Sequence, residues 1–222
     1  MLLLYFSRSQ QNYNINMRKI TKKKIVDNQL KYAFVKNFIP VEVAEKMAAY
    51  VEEQANSGKI GRDRQCPKSM RIRNGFNRLQ VQLRPIMEKL FISGSPDEDI
   101  KLRSTYNYSR QYVLGEELRK HTDRKSCEFS VTVALGKREG EPWPFYAQYK
   151  NLRKGKMIME PGDAVIYRGQ QVKHWREVNT CGLQYQSFFH YINMHGPFKE
   201  WAFDKKRPNF REKRINGPDI KL

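Results

Sequence analysis

Two hydrophobic periodicities follow one another along this chain, and the change falls near residue 100. Upstream, residues 31–38 (KYAFVKNF) are dense in β-formers and predict a strand. Pro40 then opens a stripe of Val43, Ala44, Met47, Ala48 and Val51 at helical spacing, with Glu45, Glu52 and Glu53 off it. A second stripe, Phe76, Leu79, Leu83, Ile86, Met87 and Leu90, predicts another helix, which Pro85 is expected to kink or divide. Residues 93–99 (SGSPDED) read as a loop.

Beyond residue 100 short apolar runs separated by turn residues take over: 102–108, 111–114, 127–135, 145–149, 156–159, 164–167 and 184–192. Such dense, short strands without alternating helices predict a β-sandwich or jelly-roll barrel and disfavour a doubly wound α/β fold. The expected fold class is α+β, mainly β: a jelly-roll core at 101–198 backed by a helical part at 25–100. Neither GxGxxG nor GxxxxGK[ST] occurs, so nucleotide-binding loops are unsupported.

Composition narrows the picture. With 222 residues and 39% apolar content the chain can build one real core. Its 42 bases and 23 acids give a net charge of +19, which favours anionic partners. Residues 1–24 contribute six bases and no acid around a Gln/Asn-rich run, and are read as a flexible arm. Residues 199–222 hold eight bases and four acids and form a basic tail, yet the body between keeps a surplus of its own. Bases at 59–73 (Lys59, Arg62, Arg64, Lys68, Arg71, Arg73) read as a solvated loop face, with an anion-binding patch as the alternative. Cys66, Cys127 and Cys181 form no CxxC pair, which argues against a disulfide framework or a zinc site and for a reducing, cytoplasmic setting. The apolar start, residues 1–6, is too short for a signal-peptide core or a membrane span, so no membrane association is expected.

Four histidines are available for chemistry: His121, His174, His190 and His195. In His121-Thr122-Asp123 an imidazole and a carboxylate two residues apart can share a strand face and one cation. His174, 53 residues downstream of His121 in QQVKHW, follows the turn-and-strand run PGDAVIY. Two imidazoles plus one carboxylate, with open positions left over, is the donor set of non-haem Fe(II) oxygenases. His-X-Asp alone is a weak signal that surface pairs produce often. Its surroundings strengthen it: Tyr112 and Gly115 stand nine and six residues before His121, and Gly162-Asp163 precedes the strand leading to His174.

Together these residues resemble the prolyl 4-hydroxylase-like branch of the 2-oxoglutarate- and Fe(II)-dependent dioxygenases. That branch shows YxxGxxxxxHxD, a hydrophobic strand (here EFSVTVAL), a PxGD-type turn and a distal histidine; FVKNFIP at 34–40 is similar to its opening. The resemblance spans about residues 31–193. It implies a double-stranded β-helix, Fe(II) held by His121, Asp123 and His174, and Tyr112 at 2-oxoglutarate. The implied cofactors are Fe(II), the co-substrate 2-oxoglutarate and O₂, with ascorbate as an optional reductant. The implied reaction couples oxidative decarboxylation of 2-oxoglutarate to hydroxylation of a peptidyl-prolyl or related small substrate.

About ten residues after the distal histidine the family places a lysine or arginine on the far carboxylate of 2-oxoglutarate; here stands Gln184, with Gln186 on the same face. An amide donates hydrogen bonds but brings no charge. Arg176, Arg124, Arg110 and Lys173 are the substitute cations, and a protonated His190 is a further one. Trp143-Pro144-Phe145-Tyr146 and Trp175 are expected as core or rim aromatics, with substrate contact as the alternative. Cys127 and Cys181 lack a base spaced to activate them and are expected to be structural. The basic charge keeps a nucleic-acid base hydroxylase or demethylase as a second reading, and an inactive basic binding module as a third.

Overall fold

A computed structural model of the chain describes residues 20–205, apart from 59, 60, 74, 138 and 139, together with 220 and 222. The expected arm at 1–19 and most of the basic tail lie outside the described residues.

The element order is β1 (Ile20–Val26), β2 (Gln29–Val35), α1 (Val41–Asn56), β3 (Met70–Arg73), α2 (Asn77–Ser93), β4 (Leu102–Tyr112), β5 (Leu118–His121), β6 (Phe129–Lys137), β7 (Phe145–Tyr149), β8 (Gly155–Met157), β9 (Ala164–Arg168), β10 (Val172–Arg176) and β11 (Gln184–Asn193). Short 3₁₀ turns at Lys125–Cys127 and Lys199–Lys205 complete it. All pairings are antiparallel, in a seven-stranded sheet of order β1-β2-β9-β6-β11-β4-β3 and a four-stranded sheet β5-β10-β7-β8. Facing each other, the two sheets form the expected jelly roll.

The central strands β2, β9 and β6 of the large sheet are buried on both faces, which is why they read as near-continuous apolar runs. On one face Ala33, Val35, Val131, Val133, Ile166 and Phe189 meet Val43, Met47 and Val51 of α1 and Leu79, Leu83, Met87 and Leu90 of α2. On the other, Tyr32, Phe34, Val165 and Tyr167 meet Phe145, Ala147, Met157 and Val172 of the small sheet. Truncating a fully buried anchor such as Leu83 to Ala costs about 2–5 kcal/mol.

Four expectations change. Residues 20–24, assigned to the arm, belong to β1, whose Ile20–Val26 pairs along β2. Helix α2 runs unbroken through Pro85, because the proline sits on the exposed face and the buried stripe Leu79–Leu83–Met87–Leu90 holds the helix across the missing hydrogen bond. The two runs at 102–108 and 111–114 are one strand, β4, since both of its neighbours, β3 and β11, continue to pair across the junction. Finally, the basic stretch 59–73 is no plain solvated face: Arg71 and Arg73 lie in β3, and Arg71 ion-pairs with buried Asp63. No helix among the described residues is long and apolar enough to cross a membrane.

The turn before β9 shows why its sequence is Pro-Gly-Asp. Gly162 has φ +89°, and a Cβ there would lie 2.5 Å from the Ile39 carbonyl oxygen. Asp163 then ties the turn to the end of β2, accepting from Lys36 Nζ (2.5 Å), Asn37 N (2.9 Å) and Glu160 N (3.0 Å).

Candidate metal centre

Strand pairing brings the two histidines together. His121 ends β5, and its Cα partner in β10 is His174, so the imidazoles project side by side into the barrel with ring centroids 4.3 Å apart. Each ring is anchored by its own strand: His121 Nδ1 donates to the Arg119 carbonyl (2.7 Å) and His174 Nδ1 to that of Val172 (3.0 Å). Anchored through Nδ1, each ring turns its Nε2 to the interior. Asp123 reaches the same point because its amide donates to the Gly169 carbonyl (2.8 Å), clamping the turn after β5 to the turn before β10. There is no room at Gly169 for a side chain: a Cβ would stand 2.1 Å from Cys127 O and 2.7 Å from Asp123 Oδ2.

Asp123 Oδ1 lies 3.6 Å from His121 Nε2 and 3.5 Å from His174 Nε2. With metal–ligand bonds of about 2.1 Å the octahedral edges are about 3 Å, so a small contraction closes this triangle on a cation. The other carboxylate oxygen is occupied: Ser130 Oγ donates to Asp123 Oδ2 (3.3 Å) and accepts from His190 Nδ1 (2.9 Å). That leaves Oδ1 facing the two imidazoles and free to coordinate. Burial by itself would raise the Asp123 pKa, but the two imidazoles outweigh it and hold the group well below the usual carboxylate range. Phe145 and Tyr167 wall His174 off from solvent. Two imidazole nitrogens, one carboxylate oxygen and no thiolate suit Fe(II).

A second group, Asp123, Cys127 and His190, also brings its donor atoms within 4.8 Å of one another. Burial pushes the Cys127 thiol far up and Tyr106 Oη lies 3.1 Å from its sulfur, so it stays a protonated thiol and a poor ligand. His190 is not a cation either: burial lowers its pKa to about 4. Among the described residues its Nε2 has no hydrogen-bond partner. Cys127 is buried, as expected, whereas Cys181 is only half-buried.

The structure separates the candidate cations. Lys173 is exposed, and Arg124 pairs with Asp204 (2.6 Å). Arg110 is buried on β4 but already neutralised by Asp63 (3.0 Å); it also donates to Tyr112 Oη (2.9 Å) and Gln65 Oε1 (2.7 Å). Arg176 is different. It is 5% exposed, points inward from β10 two residues after His174, and donates to Gln186 Oε1 (2.9 Å) and the Trp143 carbonyl. Among the described residues no carboxylate pairs with it, and burial lowers its pKa to about 10. Gln184, Gln186 and Arg176 line one narrow cavity with Trp143 and Ala134. Gln186 donates onward to Thr132 Oγ1 (2.6 Å), while the Gln184 amide turns to the Cys181 carbonyl (3.5 Å). Tyr112 is fully buried against Trp143.

Sequence reading missed Gln65 and Asp63. Gln65 Nε2 lies 2.9 Å from His121 Nε2 while its Oε1 accepts from Arg110, so the 61–69 loop reaches the ligand triangle. Asp63 organises that loop, accepting from Arg110, Arg71 and the amides of Gln65 (2.7 Å) and Cys66 (3.0 Å). No spacing rule marks them, because they enter from a loop distant in sequence from β5.

No protein-family model matches the sequence, and no curated protein matches it either. Solved structures do match the fold. A Pseudomonas putida prolyl-4-hydroxylase superposes at TM-score 0.54 with 14% identity, covering 72% of this chain and 91% of that one. A Trichoplax adhaerens prolyl hydroxylase, solved with a hypoxia inducible factor peptide fragment, gives 0.58 with 12% identity over 73% and 83%. HygX from Streptomyces hygroscopicus, solved with nickel, 2-oxoglutarate and hygromycin B, gives 0.56 with 12% identity over 76% and 85%. The chain has the fold of the 2-oxoglutarate- and Fe(II)-dependent oxygenases.

Proposed function

We propose that the chain is a 2-oxoglutarate- and Fe(II)-dependent oxygenase that hydroxylates a C–H bond of a peptidyl-prolyl or related small substrate. The observation that carries this reading is the convergence of two backbone-anchored Nε2 atoms and Asp123 Oδ1 inside a jelly roll whose interior also holds Arg176, with which no carboxylate pairs among the described residues. His121, Asp123 and His174 would hold Fe(II) on one face of its coordination shell. When bound, iron would activate O₂, the oxidant, with 2-oxoglutarate giving up two electrons as it becomes succinate and CO₂ and the substrate C–H bond giving up the other two. Arg176 would meet the far carboxylate of 2-oxoglutarate in place of a base at 184, since a buried cation lacking an anion is stabilised by one. Gln186 fixes that guanidinium, and Tyr112, buried against Trp143, would contact 2-oxoglutarate. Phe145, Tyr167 and Trp143 exclude water from the reacting centre. The similarity of fold to a prolyl hydroxylase solved with a peptide supports a peptide substrate, and the three free cysteines fit a cytoplasmic setting.

The test is succinate release from 2-oxoglutarate under air with Fe(II), compared with and without proline-containing peptides and methylated oligonucleotides. Peptide stimulation supports the reading; stimulation by oligonucleotides alone moves the substrate to nucleic acid; no turnover and no Mn(II) binding overturns it.

A further inference from the structure

The strands that hold the metal ligands carry a second kind of chemistry on their outer face. Cross-strand partners share a face of a sheet, and the register pairs Trp175 with Tyr146, Tyr146 with Lys156, and Lys173 with Gln148. Trp175 and Tyr146 are stacked, with centroids 5.3 Å apart and planes 13° off parallel. Lys120 Nζ covers Trp175 at 4.5 Å, and Lys154 Nζ lies 5.0 Å from the Tyr146 centroid. Lys120, Lys154, Lys156 and Lys173 are all exposed. The nearby acids are engaged: Glu117 with Arg119 and Glu177 with the Tyr146 hydroxyl.

We propose that this outer face of the four-stranded sheet binds single-stranded nucleic acid, with Trp175 stacking a base and the surrounding lysines meeting phosphates. The inference stands independently of the oxygenase reading. The half-buried Trp175 ring, stacked on the buried Tyr146, offers a π-face to a base, and exposed ammonium groups offer phosphate partners. An arriving base displaces Lys120 from the Trp175 face, and that lysine turns to the adjoining phosphate, so a cation–π contact is exchanged for stacking plus an ion pair. An acidic peptide would use only the lysines and leave the ring pair idle, which is why the aromatic stack favours a nucleic acid.

The experiment is fluorescence anisotropy of a labelled oligothymidylate with the full-length protein over a salt series. Trp175→Leu is expected to weaken binding about tenfold at an unchanged salt slope, and Trp175→Phe, which keeps a ring, to recover most of it. Lys120→Glu with Lys154→Glu is expected to reduce the slope of log K against log salt by one to two phosphate contacts, about 0.7 each for a single strand. Mn(II) binding and thermal unfolding of each variant check that the barrel is intact. Unchanged affinity in Trp175→Leu, polyglutamate competing as well as the oligonucleotide, or binding of phosphatidylserine vesicles but not of the oligonucleotide would each overturn the proposal.

Discussion

The two ends of the barrel interior solve their problems differently. At the metal end, three short donors must meet within a few ångströms, so backbone spacing decides everything: His121 opposite His174, and Asp123 clamped to Gly169. At the anion end, charge arrives on a long, flexible side chain, which can start from any strand that faces inward. In the proposed site Arg176 would take that role from β10, while the β11 position holds Gln184 with its amide turned to its own hairpin. Coordination fixes sequence spacing; charge neutralisation of a carboxylate does not.

Mutations can break this contrast apart. Asp123→Ala is expected to lower Mn(II) affinity by more than about a hundredfold, since even indirect partners of ligands are worth about 10–100-fold; electron paramagnetic resonance titration measures it. Arg176→Leu should do the opposite, weakening 2-oxoglutarate binding by about tenfold to a hundredfold while leaving Mn(II) affinity within about twofold, the loss of charged hydrogen bonds worth about 1.5–3 kcal/mol each. Calorimetry with each ligand in turn separates the two variants, and equal losses of both ligands in either one would erase the distinction between the ends.

Gly169→Ala presses a methyl group onto Cys127 O and Asp123 Oδ2, and should lower both metal affinity, by about tenfold, and stability, by about 1–3 kcal/mol. Ser130→Ala frees Asp123 Oδ2 and is expected to weaken metal binding about tenfold without affecting 2-oxoglutarate.

The last effect concerns acid and leaves both ligands' affinities aside. His190 has a folded-state pKa of about 4 against an ordinary 6.5, so the unfolded chain binds the extra proton between those values. Stability from this group is complete above 6.5 and falls as pH drops toward 4, at about 1.4 kcal/mol per unit. His190→Asn should flatten that part of the apo-protein's stability curve, as read by denaturant midpoints at constant slope.

How much of this was legible in the sequence follows from the same contrast. The helices and the core strands stood out because apolar periodicity reports burial directly, as at Val43–Met47–Val51 and in β6, β9 and β11. The edge strand β1 was hidden by its lysines, which face solvent while the backbone still pairs with β2. Strand β3 was hidden likewise, because Arg71 is half-buried and held not by apolarity but by its ion pair with Asp63 and by the ring of Tyr108, 3.8 Å from its guanidinium. The ligand triangle could be read from HxD and a distant histidine. Arg176 was one candidate among several, and burial with pairing singled it out. Gln65, arriving from a loop, left no trace in any local pattern.

The most direct measurement is a crystal structure with Mn(II) and a 2-oxoglutarate analogue bound. The predicted result is manganese on His121 Nε2, Asp123 Oδ1 and His174 Nε2, with the far carboxylate of the analogue on Arg176. Metal held elsewhere, or those three side chains pointing apart around an empty barrel, would contradict it.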